Sequence, residues 1–195
     1  MSQIALACHN YEAVHGKLPP AAVCGPDGKP LLSWRVLLLP FIEEQELYSQ
    51  FRLDEPWDSA HNLLLLDRMP AIFAPPRIKS SLVPPNHTIC HVFAGPGTPF
   101  DASKDVSLKD GFPDGTSNTL LLVEAGKPVP WTKPAALRFD PTGPLPPLRG
   151  LFRNGFRACA ADGSRVFVRY DVGEAVLRAA ITRNGGEEFG ANDIQ

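Results

Sequence analysis

A polar loop between residues 110 and 118 holds the densest group of side chains that could bind a metal. Asp110, Asp114 and Asn118 recur at four-residue spacing in the run DGFPDGTSN. Carboxylate and amide oxygens are the ligands that calcium prefers, so these three residues form a candidate calcium site, although the loop lacks the spacing and final glutamate of an EF-hand. The alternative is that Asp114 and Asn118 hydrogen-bond their own backbone and fix a turn.

The same loop lacks the nucleophile that a phosphatase would need. Phosphatases of the haloacid dehalogenase type use Asp-x-Asp-Gly-Thr, and Phe112 occupies the first aspartate position here. Ser117 and Ser164 are outside any G-x-S-x-G sequence, and the glycine-containing runs lack the phosphate-binding patterns. The sequence contains no catalytic motif, which predicts a protein that is not an enzyme.

Histidine and cysteine come together in the run His87-Thr-Ile-Cys90-His91. On a strand, the two histidines would share a face about 13 Å apart and Cys90 would point the other way, so one ion could not bind all three. The interpretation as ordinary strand residues is therefore favoured over a metal site. The chain has four cysteines and no C-x-x-C pair, and we favour buried free thiols over disulfides because a core of this size needs no cross-links.

Three tryptophans, Trp34, Trp57 and Trp131, lie in or beside proline-containing loops. Exposed aromatic rings in such loops often form recognition surfaces, so the three predict a groove for a carbohydrate or small solute. The alternative is that they anchor the loops onto a sheet.

The overall composition restricts the class of protein. The 195 residues carry 19 basic and 21 acidic side chains, a net charge of -2, and this balance argues against nucleic acid as a partner because phosphate binding needs a concentrated basic face. The apolar run 31–42 is too short to span a membrane, contains Arg35 and is broken by Pro40. We expect residues 1–195 to form one soluble domain.

The order of hydrophobic patterns predicts an α+β fold. The predicted segments are the end of an N-terminal helix at 2–16, a helical segment at 33–66, a sheet with loops at 70–170 and a C-terminal helix at 171–185, with a loop at 17–32. This order favours a mainly antiparallel sheet with long proline-rich loops over a doubly wound α/β fold, and the 21 prolines are consistent with such loops.

Local signals predict several boundaries within these segments. Ser33 is expected to cap a short helix, and 71–74 to be the first strand of the sheet. Asp162-Gly163 predicts a hairpin turn, with the second arm at 164–170 alternating between its two faces. The spacing of Asp171 and Glu174 predicts a capping box for the last helix. The N-terminal helix begins abruptly, with only Met-Ser ahead of its periodic residues, as though a longer helix had lost its start.

Short sequence words along almost the whole chain are similar to one known family. The words are CHNYE at 8–12, GKLPPAA at 16–22, SWRVLLLPFIE at 33–43, PWD at 56–58, DGTSNT at 114–119, VPWTKP at 129–134, ADGS at 161–164 and ITRNGGE at 181–187. Together they resemble a large paralogous family of domains of unknown function in planctomycetes and their relatives, which has also carried a solute-binding label.

The resemblance implies a pilin-like or pseudopilin-like body. Members of that family typically begin with a prepilin-like leader and a long hydrophobic helix, whose end resembles residues 3–11 here. The implied body is an N-terminal helix on an antiparallel sheet, with other pilin-like subunits or type II secretion assembly proteins as partners. The implied location is the cell envelope, periplasmic or surface-exposed, if the native chain carries the leader, and the cytoplasm if these 195 residues are the full native chain.

The leading hypothesis is therefore a non-enzymatic structural or assembly protein of the cell envelope. The alternative is a soluble module that binds a carbohydrate or small solute between the tryptophan-bearing loops. An enzyme is the third hypothesis, and only the polar loop at 110–118 supports it.

Overall fold

The computed structural model describes residues 1–75, 82–149 and 152–186, so 76–81 and 150–151 of the predicted sheet-and-loop segment lie outside the described residues. The helices are α1 (Ser2–His15), α2 (Trp34–Leu37), α3 (Gln45–Gln50) and α4 (Glu174–Ile181), with 3-10 helices at Leu39–Ile42, Asn62–Arg68 and Ala71–Phe73. The strands are β1 (Ala22–Cys24), β2 (Pro30–Ser33), β3 (His87–His91), β4 (Phe93–Ala94), β5 (Leu120–Pro130), β6 (Leu137–Arg138), β7 (Gly155–Ala160) and β8 (Arg165–Arg169). This mixture confirms the predicted α+β class.

A four-stranded antiparallel sheet with the order β3-β5-β7-β8 forms the centre of the fold. In β5, residues 120–125 are all buried, and their apolar side chains enter two different hydrophobic clusters, with the regular alternation interrupted by a register shift between Leu120 and Leu122. Leu121 and Leu122 join the cluster that contains α1 and α2, whereas Leu120 and Val123 join the one that contains α4. The sheet is thus covered by helices on both faces.

The predicted hairpin is confirmed as β7 and β8. Its turn contains Gly163 at a φ of 88°, a conformation that glycine adopts without steric cost. The ladder continues beyond both strands, because Ala160 donates to the Ser164 carbonyl at 2.9 Å and Tyr170 donates to that of Asn154 at 3.0 Å. Side chains in β8 alternate as expected, with Val166 and Val168 buried.

The prediction of an unbroken loop at 17–32 is wrong. The segment contains the antiparallel pair β1 and β2, and its turn closes with a hydrogen bond of 2.9 Å from the Gly28 N–H to the Gly25 carbonyl. Gly25, Pro26 and Gly28, which indicated a loop, thus belong to a hairpin turn, whereas Pro19 and Pro20 precede β1. A three-residue strand such as β1 is too short to show the alternation that indicates a strand.

The predicted strand at 71–74 is also wrong, because these residues form the 3-10 helix Ala71–Phe73 after Pro70. A four-residue apolar run carries little periodicity, and here only Phe73 of that run is buried.

Both ends of the segment 171–185 differ from the prediction, since the helix α4 is Glu174–Ile181. Gly173 is its N-cap residue and supplies no side-chain hydrogen bond. Asp171 pairs instead with Arg169 at 2.5 Å, an ion pair that replaces the predicted capping box.

Ser33 caps α2 as predicted, because its Oγ accepts a hydrogen bond from the Arg35 N–H at 3.3 Å.

Candidate functional site

Helix α1 lies against the sheet with one face and leaves the other uncovered by any described residue. Ile4, Ala5, Ala7 and Cys8 are buried in the core. The opposite side, called the outer face of α1 below, consists of Gln3, Leu6, Asn10, Ala13 and Val14. Leu6 is 57% exposed and Val14 is 69% exposed, so two large apolar side chains of this face contact solvent.

Three polar contacts hold α1 in this orientation. The Ser2 hydroxyl donates to the Gly163 carbonyl at 3.2 Å, and the His9 Nε2 lies 2.7 Å from the Ala161 carbonyl. Near the other end, the Glu12 carboxylate accepts a hydrogen bond from the Leu108 N–H at 3.2 Å. The helix ends at Gly16, whose φ of 74° is left-handed. These contacts tie the helix to the β7–β8 turn at its start and to the loop before β5 at its end.

The structure does not bring the three predicted ligand-binding tryptophans to one surface. Trp34 and Trp131 have no exposed surface, and the ring of Phe73 lies between them, edge-on to Trp34 at 6.4 Å and stacked on Trp131 at 6.0 Å. The Trp131 Nε1 donates to the Leu66 carbonyl at 2.9 Å. These two rings anchor loops to the core, which corrects the expected groove.

Trp57 alone among the three reaches solvent. It is half-buried, and the ammonium of Lys133 lies 5.4 Å from its ring centroid, a cation–π contact. A surface cavity of about 170 Å³ lies elsewhere and is lined by Met69, Pro75 and residues 83–87. None of the three tryptophans lines that cavity.

The three candidate calcium ligands point to different partners. The Asp114 carboxylate accepts hydrogen bonds from the N–H groups of Gly185 at 2.7 Å and Gly186 at 3.1 Å. The Asn118 side chain directs its Nδ2 group at the Asp114 carbonyl, at 2.9 Å, and Asp110 is exposed. These contacts join Asn118 to its own loop, as in the turn-fixing alternative, and Asp114 to residues 185 and 186, while a calcium site at these residues stays a prediction. Among the described residues, no group of three or more His, Cys, Asp or Glu side chains could hold a metal ion.

The His87–His91 run forms β3, but its side chains do not lie as on a regular strand, because a bulge lies between Thr88 and Cys90. His91 is almost fully buried, and both of its ring nitrogens lie 3.1 Å from carbonyl oxygens, Nδ1 from Ala135 and Nε2 from Lys127. Burial and the nearby Arg35 charge lower the pKa of His91 to about 4.

All four cysteines are free thiols, and three of them, Cys8, Cys90 and Cys159, are buried as favoured from the sequence. Burial raises the pKa of Cys90 to about 12 and that of Cys159 to about 11. Burial also raises the pKa of Cys8. Cys24 is exposed.

Arg35 is a buried cation whose role the sequence did not indicate. It has no exposed surface, and among the described residues it forms no ion pair with a carboxylate. Its guanidinium donates to the Cys90 carbonyl, from Nε at 3.1 Å and also from Nη2, and to the Ser33 Oγ at 2.7 Å. Its carbon Cζ lies 4.8 Å from the centroid of the Trp34 ring. Burial lowers the pKa of Arg35 to about 10. The signal in the sequence was a single arginine inside the apolar run 31–42.

Glu124 and Arg157 form a second pair that the sequence analysis missed. They lie opposite each other on β5 and β7, and their side chains form an ion pair at 2.7 Å. Burial raises the pKa of Glu124, while Arg157 opposes that shift. The Arg157 guanidinium lies 4.8 Å from the ring centroid of Phe152. The pair therefore links β5 to β7 across the sheet.

Comparison with known proteins supports one family. A family described as a protein of unknown function, DUF1559 (SBP_bac_10), matches residues 1–102, which is just over half of the chain. Neither the curated proteins nor the solved structures contain a match. In the described part of the chain, no helix has the length and apolar character needed to cross a membrane. From the extent of the match, we conclude that this chain belongs to the DUF1559 family.

Proposed function

We propose that this protein is a non-enzymatic, pilin-like subunit that assembles with other subunits at the cell envelope. The observation that carries the proposal is the position of α1, which packs one face on the antiparallel sheet and leaves its outer face free. This is the arrangement that the resemblance to pilin-like proteins implies.

The outer face of α1 has a composition suited to contact with another helix. It carries no charged side chain, so burying it would leave no unpaired charge. Leu6 and Val14 are eight residues apart, which corresponds to about 12 Å along a helix. Between them, Asn10 and Ala13 are short enough to allow a close approach. A helix that packs on this face would remove both exposed apolar side chains from water.

The proposed partners are other pilin-like subunits or proteins of a secretion assembly, and the proposed location is the cell envelope. Both follow from the resemblance, because relatives with such sequence words carry a prepilin-like leader. The buried positions of Trp34 and Trp131 give the alternative, a solute-binding module, no specific support.

Site-specific cross-linking in the source cells tests the assembly role. A photo-reactive amino acid is placed at Leu6 in the native gene product, and a matched variant carries it at Leu64, which is 76% exposed but lies outside α1. We expect multimers or specific envelope partners to be cross-linked from position 6 and not from position 64. Equal cross-linking from both positions, or a product found wholly as a cytoplasmic monomer, would overturn the proposal.

A further inference from the structure

Strand β8 is an edge of the central sheet with an unpaired row of backbone groups. β7 is its only neighbour among the described strands. Residues 154 and 170 form a hydrogen-bonded pair, and so do residues 160 and 164. Hydrogen-bonded and non-hydrogen-bonded pairs alternate along an antiparallel ladder, so the even-numbered residues of β8 bond to β7. The N–H groups of Arg165, Phe167 and Arg169 therefore point away from the sheet, and none of them has a partner among the described residues.

The side chains of these same three residues are exposed on one face of the strand. Phe167 is 42% exposed, and its ring lies across Gly155 of β7, where a Cβ atom would come within 2.8 Å of the ring. On β7, Phe167 lies opposite Arg157, which is held in place by Glu124. The aromatic ring thus rests on a fixed surface beside the open backbone edge.

The charged side chains on the exposed face of β8 are both positive. They are Arg165 and Arg169, and the aspartates Asp162 and Asp171 lie outside the strand. The Arg165 guanidinium contacts the Ser2 hydroxyl at 3.3 Å and forms no ion pair with a described carboxylate, whereas Arg169 pairs with Asp171. The two guanidinium groups on the exposed face of β8 would attract carboxylates of a partner.

We propose that the β8 edge binds an extended acidic segment of a partner protein by adding it as a fifth strand. Residues directly opposite each other on neighbouring strands form pairs, so carboxylates would face Arg165 and Arg169 while an apolar residue faces Phe167. The recognised pattern is acidic-x-apolar-x-acidic, which reads the same in both strand directions.

Two other occupants fit the edge less well. A second copy, paired antiparallel about Phe167, would place Arg165 of each copy opposite Arg169 of the other, and like charges directly opposite destabilise a sheet. A single-stranded nucleic acid could stack on Phe167 and contact the arginines, but it has no regular row of amide groups to satisfy the backbone of β8. The acidic strand satisfies both the backbone and the charges. It uses a different surface from the outer face of α1, so the two proposals can fail separately.

The test uses the purified 195-residue chain and a fluorescein-labelled peptide, Thr-Thr-Glu-Thr-Val-Thr-Glu-Thr-Thr, in fluorescence anisotropy titrations. One matched peptide carries lysine in place of both glutamates. The other keeps the sequence but carries N-methyl groups on the backbone amides that would face β8. We expect saturable, salt-sensitive binding of the acidic peptide, and binding at least tenfold weaker for both matched peptides.

Substitutions on the protein separate backbone pairing from charge attraction. Phe167→Pro removes an N–H group that points away from β7, so the hairpin keeps its own ladder while peptide binding falls at least tenfold. Arg165→Glu combined with Arg169→Glu should reverse the preference in favour of the lysine peptide. Arg153→Glu, an exposed arginine outside the strand, is the matched control and should bind like the wild type within about twofold.

Amide hydrogen exchange followed by NMR on the wild-type chain requires no substitution. Addition of the acidic peptide should protect the amides of Arg165, Phe167 and Arg169 and leave those of Val166 and Val168 unchanged. Absence of binding at 1 mM peptide, equal binding of the N-methylated peptide, or tighter binding of oligo-dT than of the acidic peptide would each overturn the proposal. One combined result would also overturn the proposal. If the wild type bound no peptide and an Arg165→Val, Arg169→Val double variant aggregated, the arginines would serve only to prevent other chains from pairing with the edge.

Discussion

The Asp114 carboxylate accepts a hydrogen bond of 2.7 Å from the backbone N–H of Gly185, a residue 71 positions further along the chain. A second bond joins the carboxylate to Gly186, and the Arg183 carbonyl accepts one from the Asp114 N–H at 3.2 Å. The loop before β5 is therefore joined to the segment after α4, and the calcium ligand predicted from the sequence is a connection between two loops.

We expect Asp114→Ala to lower the free energy of unfolding by about 1–2 kcal/mol, because two backbone donors lose a charged acceptor near the surface. Asp110→Ala is the matched control, since Asp110 is exposed on the same loop, and we expect a change within about 0.5 kcal/mol. Urea unfolding followed by circular dichroism measures both. A calcium-dependent increase in the melting temperature that Asp114→Ala abolishes would contradict this structural role.

Arg35 is also expected to contribute to stability. Arg35→Met leaves the Cys90 carbonyl without its buried guanidinium donors, while the Ser33 hydroxyl keeps the backbone N–H of residue 35, and we expect a loss of about 1–3 kcal/mol. Arg35→Lys keeps the charge but cannot reproduce the fork of donors, so it should recover only part of the loss. Arg153→Met, at an exposed position, should stay within about 0.5 kcal/mol. Urea midpoints for the three variants give the comparison, and equal midpoints would show that Arg35 is not a structural clamp.

Thiol accessibility checks the burial of the cysteines. Ellman's reagent should react at once with one thiol per native chain, Cys24, and with four after unfolding in guanidinium, because the other three are buried with raised pKa values. Cys24→Ser should remove the fast reaction and leave three thiols for the unfolded chain. A fast reaction that persists in Cys24→Ser would mean that a second thiol is open to solvent.

Short-range signals predicted much of the fold correctly. The hairpin β7–β8 follows from the Asp162-Gly163 turn and the alternation after it, and the cap at Ser33 from a single side chain before an apolar run. The strand β1 and the 3-10 helix at Ala71–Phe73 could not be assigned, because three or four residues show no measurable periodicity.

The polar contacts of the candidate sites could be predicted much less well, because they depend on distant parts of the chain. Arg35 reaches a carbonyl at Cys90, and Asp114 reaches Gly185, so the partner of each is unrelated to its local sequence. The burial of Trp34 and Trp131 around Phe73 likewise depends on three segments meeting in the core. Residue type indicated which side chains could do chemistry, but only the tertiary structure shows which atoms they contact.

The buried imidazole of His91 makes stability depend on pH. Its pKa in the folded chain is about 4, against an ordinary value of 6.5, so the unfolded chain binds more protons between these two values. The free energy of unfolding should therefore fall as the pH is lowered from 6.5 to 4, by up to about 3 kcal/mol from this residue. His91→Gln cannot take up a proton, and its stability should change less over that range although its absolute stability is altered. Urea unfolding at half-unit pH intervals measures both profiles, and identical slopes for the wild type and His91→Gln would show that another group is responsible.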